Sequence, residues 1–320
     1  MDSPRELEIL AAGTGQRILS TPTLSVAICT HNPRPEYLAR TLDGLRQQTV
    51  AGDQWELLVI DNQSSPPLEL DLSWHPRARL IREESLGLTP ARRRAFREAA
   101  SSVIVLVDDD NVLFPDYLEQ AAKIGQAWPQ LGAWGGQTIA EFEERPEEWS
   151  KPYLWLAIRE FDRDEWANVP FAGNAMPFGA GICVRRSVVE AYERLIENDP
   201  ARRALDRTGN KLLGCGDTDL VLTAYDLGCG TGVFTGLKLT HLIPKDRLSE
   251  EYLLRLVEST TYSVTLLKVI RGYALAQPSR SQKLLEWYQS LFLDARVRRF
   301  EQARQRGFAA ALADGRQTAP

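Results

Sequence analysis

Few residues in this chain are of the kind that build disulfide frameworks or structural zinc sites. The 320 residues include only four cysteines and three histidines, and the cysteines stand far apart at positions 29, 183, 215 and 229. Structural zinc ligands usually come in closely spaced pairs such as C-x-x-C, with histidines nearby. That spacing is missing, so we expect reduced thiols and no structural zinc site.

Long apolar runs are missing too. No stretch approaches the ~20 consecutive apolar residues that a membrane-spanning helix needs. The first ten residues carry acidic side chains instead of a basic start followed by an apolar stretch, so they do not have the pattern of a secretory signal. The sequence therefore predicts a cytoplasmic protein.

Positive charge is not in surplus. The chain has 38 Lys and Arg against 43 Asp and Glu, which gives a net charge of -5 at pH 7. A global attraction to nucleic acid or to an anionic membrane is thereby excluded, and any binding of phosphate must be local. The shares of hydrophobic residues, 43%, and charged residues, 25%, are those of an ordinary globular protein and not of a disordered or fibrous one.

The first half of the chain alternates short apolar segments with helical patterns. Each apolar segment is hydrophobic almost throughout and stops at polar or turn residues. Such strands, alternating with helices, predict an α/β fold with a mostly parallel sheet covered by helices on both faces. The predicted strands are 24–29, 55–60, 79–82 and 103–107, and the predicted helices are 35–48 and, with Thr89 as N-cap, 90–100.

The second half is less regular. We predict a strand at 182–184, a helix that a Ser187 and Glu190 capping box opens and that runs to 197, a helix at 217–227 ended by Gly228, and a strand at 237–243. Beyond Ser249 the pattern is almost entirely helical. The predicted organisation is a lead-in at 1–22, a main domain at 23–248 and a helical extension at 249–320.

The extension contains two helical stretches broken near Pro278. Residues 284, 285, 288, 291 and 292 form an apolar face, and five arginines fall between 296 and 306. We interpret the extension as a helical appendage packed on the main domain, with a solvated basic end. The alternative is a basic amphipathic helix that contacts a membrane surface or a partner.

Polar residues follow three of the predicted strands. They are Thr30 to Asn32, Asp61, and Asp108 to Asp110, and the carboxyl ends of parallel strands are where open sheets of this class bind ligands. Adjacent carboxylates repel one another unless a cation lies among them, and a hard divalent ion with oxygen ligands suits that need. A solvated turn is the alternative interpretation. A phosphatase D-x-D-x-T motif is disfavoured because Val112 stands where the Thr would be.

The order of the motifs resembles glycosyltransferase family 2 over residues 24–248. They read LSVAICTHN, LLVIDNQS, SLGLTPARRRAFREA, VIVLVDDDN, FGAGICVRR, GCGDTDL and LTHLIPKDRL. The resemblance implies a GT-A fold, a Rossmann-like and mostly parallel sheet sandwiched by helices. It also implies a nucleotide-diphosphate sugar donor, most often a UDP-sugar, a divalent cofactor such as Mn²⁺ or Mg²⁺, and inverting transfer to a hydroxyl of a glycan or lipid-linked acceptor.

The resemblance also implies which residues bind the donor and the metal. Asp61 matches the acid that contacts the base and ribose, and Arg92 matches the family's basic position in the helix after Gly87. Neighbours on a helix point about 100° apart, so Arg93 and Arg94 cannot both face the same site as Arg92. The implied donor-binding residues are Thr30, Asn32, Asp61, Arg92, Asp108, Asp109, Gly179 and Ala180, and the implied metal ligands are Asp108, Asp110 and His241.

Asp217 resembles the family's catalytic base at the start of a helix. An inverting displacement needs one carboxylate to take the proton of the attacking hydroxyl. The family often has Glu before this Asp, and Gly216 stands there instead. A helix cap is the alternative role for Asp217. Asp219 and Trp155 are expected on the acceptor side, although Trp155, like Trp149 and Trp166, is equally suited to core packing.

Two other functions stay open at this point. Residues 10–17, LAAGTGQR, resemble the phosphate loop of sugar nucleotidyltransferases, but only a very short apolar segment precedes them. A nucleotide-sugar-binding protein with the same fold and no turnover is the second alternative. The resemblance further suggests a role in bacterial surface-polysaccharide synthesis. The basic C-terminal helix would allow peripheral contact with the inner face of the membrane.

Overall fold

The computed structural model describes residues 21–207, 212–275 and 292–318, together with residues 279, 281 and 288. The glycine-containing segment 10–17 and most of the apolar face predicted between 284 and 292 lie outside the described residues. The fold is that of a single mixed sheet with helices on both faces, followed by two long helices.

Nine strands in the described part of the chain form the sheet, in the order β3-β2-β1-β4-β8-β6-β9-β5, with β7 paired to β9. The half of the sheet that contains β1 to β4 is parallel, as predicted. β8 then runs antiparallel to both β4 and β6. The strands are β1 Leu24–Thr30, β2 Trp55–Asn62, β3 Ala78–Glu83, β4 Val103–Val107, β5 Asn111–Leu113, β6 Leu131–Phe142, β7 Glu165–Ala167, β8 Cys183–Arg185 and β9 Gly230–Ile243.

Helices bury both faces of the sheet. One core contains Leu38, Leu42 and Tyr117 from the helices on one side, and a second contains Phe96 and Val221 from the other side. The predicted α/β class is confirmed. The helices are α1 Pro35–Arg46, α2 Leu88–Glu98, α3 Tyr117–Ala127, α4 Arg186–Glu197, α5 Pro200–Arg203, α6 Gly216–Asp226, α7 Glu250–Ile270 and α8 Ala295–Thr318, with 3₁₀ helices at Lys151–Leu156 and Lys245–Leu248.

Two predicted helix starts are wrong. α2 begins at Leu88 after Gly87, whose φ of 134° suits glycine, and the hydroxyl of Thr89 is not a cap but donates to the Asp206 carboxylate at 3.0 Å. α4 begins at Arg186 without a side-chain cap, so the capping box does not form. Instead, the Arg186 guanidinium ties this helix to the carbonyls of residues 99 and 101. In both helices tertiary hydrogen bonds replace the local ones.

The C-terminal extension is packed on the main domain. α7 and α8 lie side by side along a stripe of small buried residues on α8, spaced four apart: Ala303, Gly307, Ala311 and Gly315. A side chain at Gly307 would collide with the carbonyl oxygen of Glu258. Leu222 of α6 joins Leu266 of α7 in a shared apolar cluster, so the extension contacts the helix that carries Asp217.

Three arginines of α8 pair with acids of α7. Arg296 and Arg299 both bond to Glu250, and Arg306 bonds to Glu258. These pairs fasten α8 to α7 and support the packed-appendage interpretation. Within the described residues, no helix has the length and apolar character required to span a bilayer.

Candidate active site

A cleft of about 650 Å³ lies at the carboxyl ends of β1, β2 and β4. It is the place where the sequence predicted a ligand site, and the strand ends meet there. Eleven of the thirteen predicted site residues line it: Thr30, Asn32, Arg92, Asp108, Asp109, Asp110, Trp155, Gly179, Ala180, Asp217 and His241. Asp61 and Asp219 do not.

The end of the cleft near β1 and β2 is built by a network of loop hydrogen bonds. His31 Nδ1 lies 2.7 Å from the carbonyl oxygen of Asn62. The Asn32 amide N–H donates to Ser64 Oγ at 2.9 Å, and its side-chain oxygen accepts the Ser65 N–H at 2.8 Å. Asn32 has a φ of 48°, a left-handed conformation that Asn tolerates better than most residues. The two loops are therefore held together as one wall.

Asp61 lies beneath this wall and does not reach the cleft. Its side chain is 97% buried, and both oxygens are already bonded, one to the Ser64 N–H and the other to Arg82 Nη1 at 2.6 Å and the Leu68 N–H. Burial alone would raise the pKa of Asp61, but these hydrogen bonds lower it below its usual value. The prediction that Asp61 contacts the base is corrected: it shapes the loop, and the neighbouring Asn62 lines the cleft.

The three acids after β4 differ in their surroundings. Thr30 Oγ1 donates a hydrogen bond to Asp109. Burial raises the pKa of Asp109 to about 6, and the charge of Asp110 adds to the rise. Burial and the Asp110 charge likewise raise the pKa of Asp108. These two carboxylates therefore lie in a pocket where negative charge is poorly compensated.

Asp110 is the compensated member of the three. Arg247 Nη1 donates to its Oδ2 at 2.9 Å, and His241 Nε2 lies 3.5 Å from the same oxygen. Burial would raise the pKa of Asp110, but these two partners hold it well below its usual range. His241 in turn is oriented by the carbonyl oxygen of Ala157, 2.9 Å from its Nδ1. Because burial opposes its charge while Asp110 favours it, the net result is a raised His241 pKa.

The ligand atoms that this cluster offers suit a hard divalent ion. Three carboxylates and one imidazole line one end of the cleft, and burial together with the Asp110 charge raises the pKa of two of the carboxylates. Oxygen ligands are those that Mg²⁺ and Mn²⁺ prefer. In the described part of the chain no three His, Cys, Asp or Glu side chains converge as a ready-made metal site. The residues fit the ion by chemistry, not by preformed geometry.

Asp217 lies in the first turn of α6 and lines the same cleft. Its Oδ1 accepts the Thr218 N–H at 2.7 Å, and the helix cap position is occupied by Cys215, without a side-chain cap bond. Asp217 is therefore inside the helix, not its cap. A Cβ on Gly179 would lie 2.5 Å from Asp217 Oδ2, so the backbone of Gly179 rests directly against this carboxylate.

Arg92 is the single arginine of its run that faces the cleft. It is buried, and its Nη1 donates to both oxygens of Asp206, at 3.2 and 3.1 Å. Arg93 pairs instead with Glu193. Burial would lower the pKa of Arg92, but the charges of Asp206 and then of Asp217 and Asp108 raise it. The sequence motifs gave no indication of Asp206, although an acid near a buried arginine is required to offset its charge.

Asp219 is a structural residue. Its side chain is fully buried, and it bonds to Arg202 Nη1 at 2.8 Å and to Arg271 Nε at 2.5 Å. The prediction that it contacts the acceptor is wrong. The carboxylate is committed to joining α6 with α5 and with the end of α7.

One part of the cleft lining is largely apolar and aromatic. Trp155 is 61% exposed and Phe178 is 50% exposed. Leu256, Thr260 and Val264, which share one face of α7, complete the wall. The role of α7 was not predicted, because the spacing of these residues is indistinguishable in sequence from a packing face.

Comparison with known proteins identifies the relatives of this chain. The family model described as glycosyl transferase family 2 matches residues 25–192. The putative glycosyltransferase EpsH of Bacillus subtilis is 24% identical over 178 residues, which are 54% of this chain and 50% of that protein. The amylovoran biosynthesis glycosyltransferase AmsE of Erwinia amylovora is 28% identical over 129 residues, 39% of this chain and 48% of that protein. The chain thus spans about half the length of these two relatives.

Among solved structures, residues 1–349 of S. aureus TarS in complex with UDP-GlcNAc superpose with a TM-score of 0.54. The alignment covers 93% of this chain and 82% of that one, at 16% sequence identity. At this identity the likeness concerns the fold, which is the GT-A fold implied by the sequence motifs.

Proposed function

The chain belongs to glycosyl transferase family 2, and we propose that it transfers a sugar, with inversion, from a nucleotide-diphosphate donor to a hydroxyl of a glycan or lipid-linked acceptor. One observation carries the proposal. Asp217 lies in the same cleft as the Asp108 to Asp110 cluster but on a separate element, so one acid can serve the acceptor while the others serve the donor.

The donor occupies the cleft from the β1 and β2 wall to the acids after β4. The base and ribose lie along the wall of His31, Asn32 and Asn62, and the diphosphate lies at Asp108 to Asp110. A UDP-sugar is the proposed donor class. The TarS structure with UDP-GlcNAc bound supports it, because that protein has the same fold.

A divalent ion, Mn²⁺ or Mg²⁺, is the proposed cofactor. Asp108, Asp110 and His241 would hold it, and when bound it supplies positive charge that stabilises the departing diphosphate. Arg247 lies against Asp110 and adds fixed positive charge at the same end of the cleft. Arg92, which Asp206 holds in place, adds a second fixed positive charge to the cleft.

Asp217 acts as the general base. As the acceptor oxygen attacks C1 of the sugar, the bond from C1 to the diphosphate oxygen breaks, and the hydroxyl proton passes to the Asp217 carboxylate. The Thr218 N–H fixes one oxygen of Asp217, and the bare backbone of Gly179 leaves room for the other. The chain thereby orients the base without neutralising it.

The acceptor enters over the rim formed by Trp155, Phe178 and the cleft-lining face of α7. Aromatic rings of this exposure suit stacking on a sugar ring. The relative AmsE is an amylovoran biosynthesis glycosyltransferase, which supports a role in polysaccharide synthesis for this chain. Cytoplasmic location and contact of the arginine-bearing α8 with a membrane stay predictions from the sequence.

The test is thermal stabilisation by nucleoside diphosphates and nucleotide sugars, each with and without Mn²⁺ or Mg²⁺, combined with assay of nucleotide release. A ligand that binds only the folded state raises the unfolding midpoint. We expect one nucleotide to stabilise the wild type in a metal-dependent way and Asp110→Ala to abolish that dependence. Asp162→Ala, at an exposed position outside the cleft, is the matched control.

Asp217→Asn separates an enzyme from a binding protein. We expect this variant to bind the donor as the wild type does and to lose nucleotide release. Undiminished release would refute the role of Asp217. If the wild type binds the donor but releases no nucleotide, with water or with any acceptor present, the binding-protein alternative is favoured. Release of pyrophosphate from a nucleoside triphosphate and a sugar phosphate would favour a nucleotidyltransferase.

A further inference from the structure

The buried carboxylate of Asp206 links α2, the first turn of α6 and the loop that precedes α6. Its side chain is only 4% exposed. It accepts hydrogen bonds from Thr89 Oγ1 at 3.0 Å, from Arg92 Nη1 at 3.2 and 3.1 Å, and from the Gly216 N–H at 3.1 Å. The first two donors lie on α2 and the third opens α6. Asp206 itself lies in the loop between α5 and α6, so this contact fixes the position of the residue immediately before Asp217.

The Asp206 carboxylate also fills the space in front of Gly216. A Cβ built on Gly216 would meet both carboxylate oxygens of Asp206 and lie 2.5 Å from its Cγ. The backbone of Gly216 has no positive φ, so it accepts an ordinary side chain as far as conformation is concerned. What excludes a side chain at this position is the carboxylate of Asp206 and not the backbone.

A carboxylate at residue 216 and the carboxylate of Asp206 therefore compete for one place. A glutamate at 216 would begin where the Asp206 oxygens now lie, in front of the guanidinium of Arg92. Acids in the first turn of a helix are also favoured by the helix dipole. The glycine at 216, where the sequence departs from the pattern it otherwise resembles, is thus matched by an acid ten residues earlier.

We propose that Asp206 is a positioning residue that holds Arg92 and the first turn of α6 in place for catalysis, and that it substitutes for a carboxylate on residue 216. The proposal rests on the proposed function, since what Asp206 positions is the base Asp217 and the donor-side Arg92. Without Asp206, the acids whose charge acts most strongly on Arg92 are Asp217 and Asp108. The arginine would then turn toward the base or the donor cluster and impair either.

The test is relocation of the carboxylate. Asp206→Ala is expected to lower kcat for nucleotide release from UDP-GlcNAc, with Mn²⁺ present, by about 100-fold, the loss that follows a misplacement of about 1 Å. Gly216→Glu alone is expected to be inactive and less stable, because its side chain collides with Asp206. The double variant Asp206→Ala/Gly216→Glu is expected to recover most of the lost kcat and of the unfolding midpoint.

The matched control is Asp206→Ala/Gly214→Glu, which adds the same charge two residues away, where a Cβ meets no atom of the described residues within 4 Å. It is expected not to recover either property. The proposal would be overturned if this control also recovered kcat and the unfolding midpoint. It would equally be overturned if Asp206→Ala/Gly216→Glu were no better than Asp206→Ala in either property. Wild-type kcat in Asp206→Ala would also overturn it.

Asp206→Asn provides a second measurement that does not depend on tolerance of a new side chain. It keeps an acceptor for the Gly216 N–H but removes the charge that pairs with Arg92, so we expect lower kcat with a smaller loss of stability than in Asp206→Ala. If the wild type itself releases no nucleotide, the proposed function fails. The unfolding midpoints of the same variants then still decide whether the two carboxylate positions are equivalent.

Discussion

Replacement of Gly179 by alanine is a stringent test of the site, because it adds one methyl group against the proposed base. The new Cβ would lie 2.5 Å from Asp217 Oδ2 and 3.2 Å from its Cβ and Cγ. Ordinary contacts begin near 3.4 Å. The carboxylate must therefore retreat by about 1 Å, since van der Waals repulsion at such distances is steep. The backbone at 179 has no positive φ, so the substitution adds a clash and little conformational strain.

A displacement of about 1 Å at a group that acts in proton transfer costs about 100-fold in rate. We expect Gly179→Ala to lower kcat by that factor while KM for the donor changes little, because the donor cluster after β4 is untouched. The assay is initial-rate nucleotide release over a range of donor concentrations. Gly236→Ala is the control, since its Cβ approaches no described atom closer than 3.8 Å and lies outside the cleft.

Wild-type kcat in Gly179→Ala would refute this reasoning, because it would mean that Asp217 either moves without consequence or is not the base. A rise in KM with unchanged kcat would indicate that Gly179 contacts the donor, as the sequence resemblance implied. The two interpretations of Gly179 therefore predict changes in different parameters for the same substitution: a lower kcat if Gly179 positions the base, and a higher KM if it contacts the donor.

Two further predictions concern stability. Burial, with help from the charge of Arg77, lowers the pKa of His75 to about 4. In the unfolded chain the histidine binds a proton near pH 6.5, so the free energy of unfolding should fall by up to about 3 kcal/mol through His75 as the pH drops from 7 to 4. Urea unfolding of His75→Asn should lack this pH-dependent loss. An equal loss in wild type and variant would contradict the role of His75. Gly307→Val should destabilise the protein by about 1–3 kcal/mol, because the new side chain forces α8 away from the main chain of α7. Ala309→Val, on the exposed side of α8, should not destabilise it. Equal unfolding midpoints of the two variants would disprove the close packing at Gly307.

The features that the sequence predicted well are those that local pattern determines. The position of Asp108 to Asp110 follows from a buried apolar strand ending in acids, and parallel strands bring their carboxyl ends to one edge whatever the rest of the chain does. The same rule placed Thr30 and Asn32 in the cleft. It did not distinguish Asp61 from Asn62, because which of two adjacent residues faces the cleft depends on the hydrogen bonds of the following loop.

The errors arise where distant partners decide the role of a residue. Asp219 is two positions from Asp217 on an exposed-looking helix start, yet Arg202 and Arg271, 17 and 52 residues away, bury and neutralise it. Thr89 has the sequence context of an N-cap, but Asp206, 117 residues later, takes its hydroxyl. Neither contact has a local signature, so a single sequence contains no period or spacing that reveals it.

The arginines of the cleft divide its acids into two groups, which fits the different roles proposed for them. Asp110 and Asp206 each accept hydrogen bonds from an arginine. Asp108, Asp109 and Asp217 accept none from any arginine that the structure describes. In the proposed function, a divalent ion would supply the positive charge at the end of the cleft where Asp108 and Asp109 lie. Asp217 and Arg92 interact through charge without a hydrogen bond, so the Asp217 carboxylate stays open to take a proton, as its proposed role as the base requires.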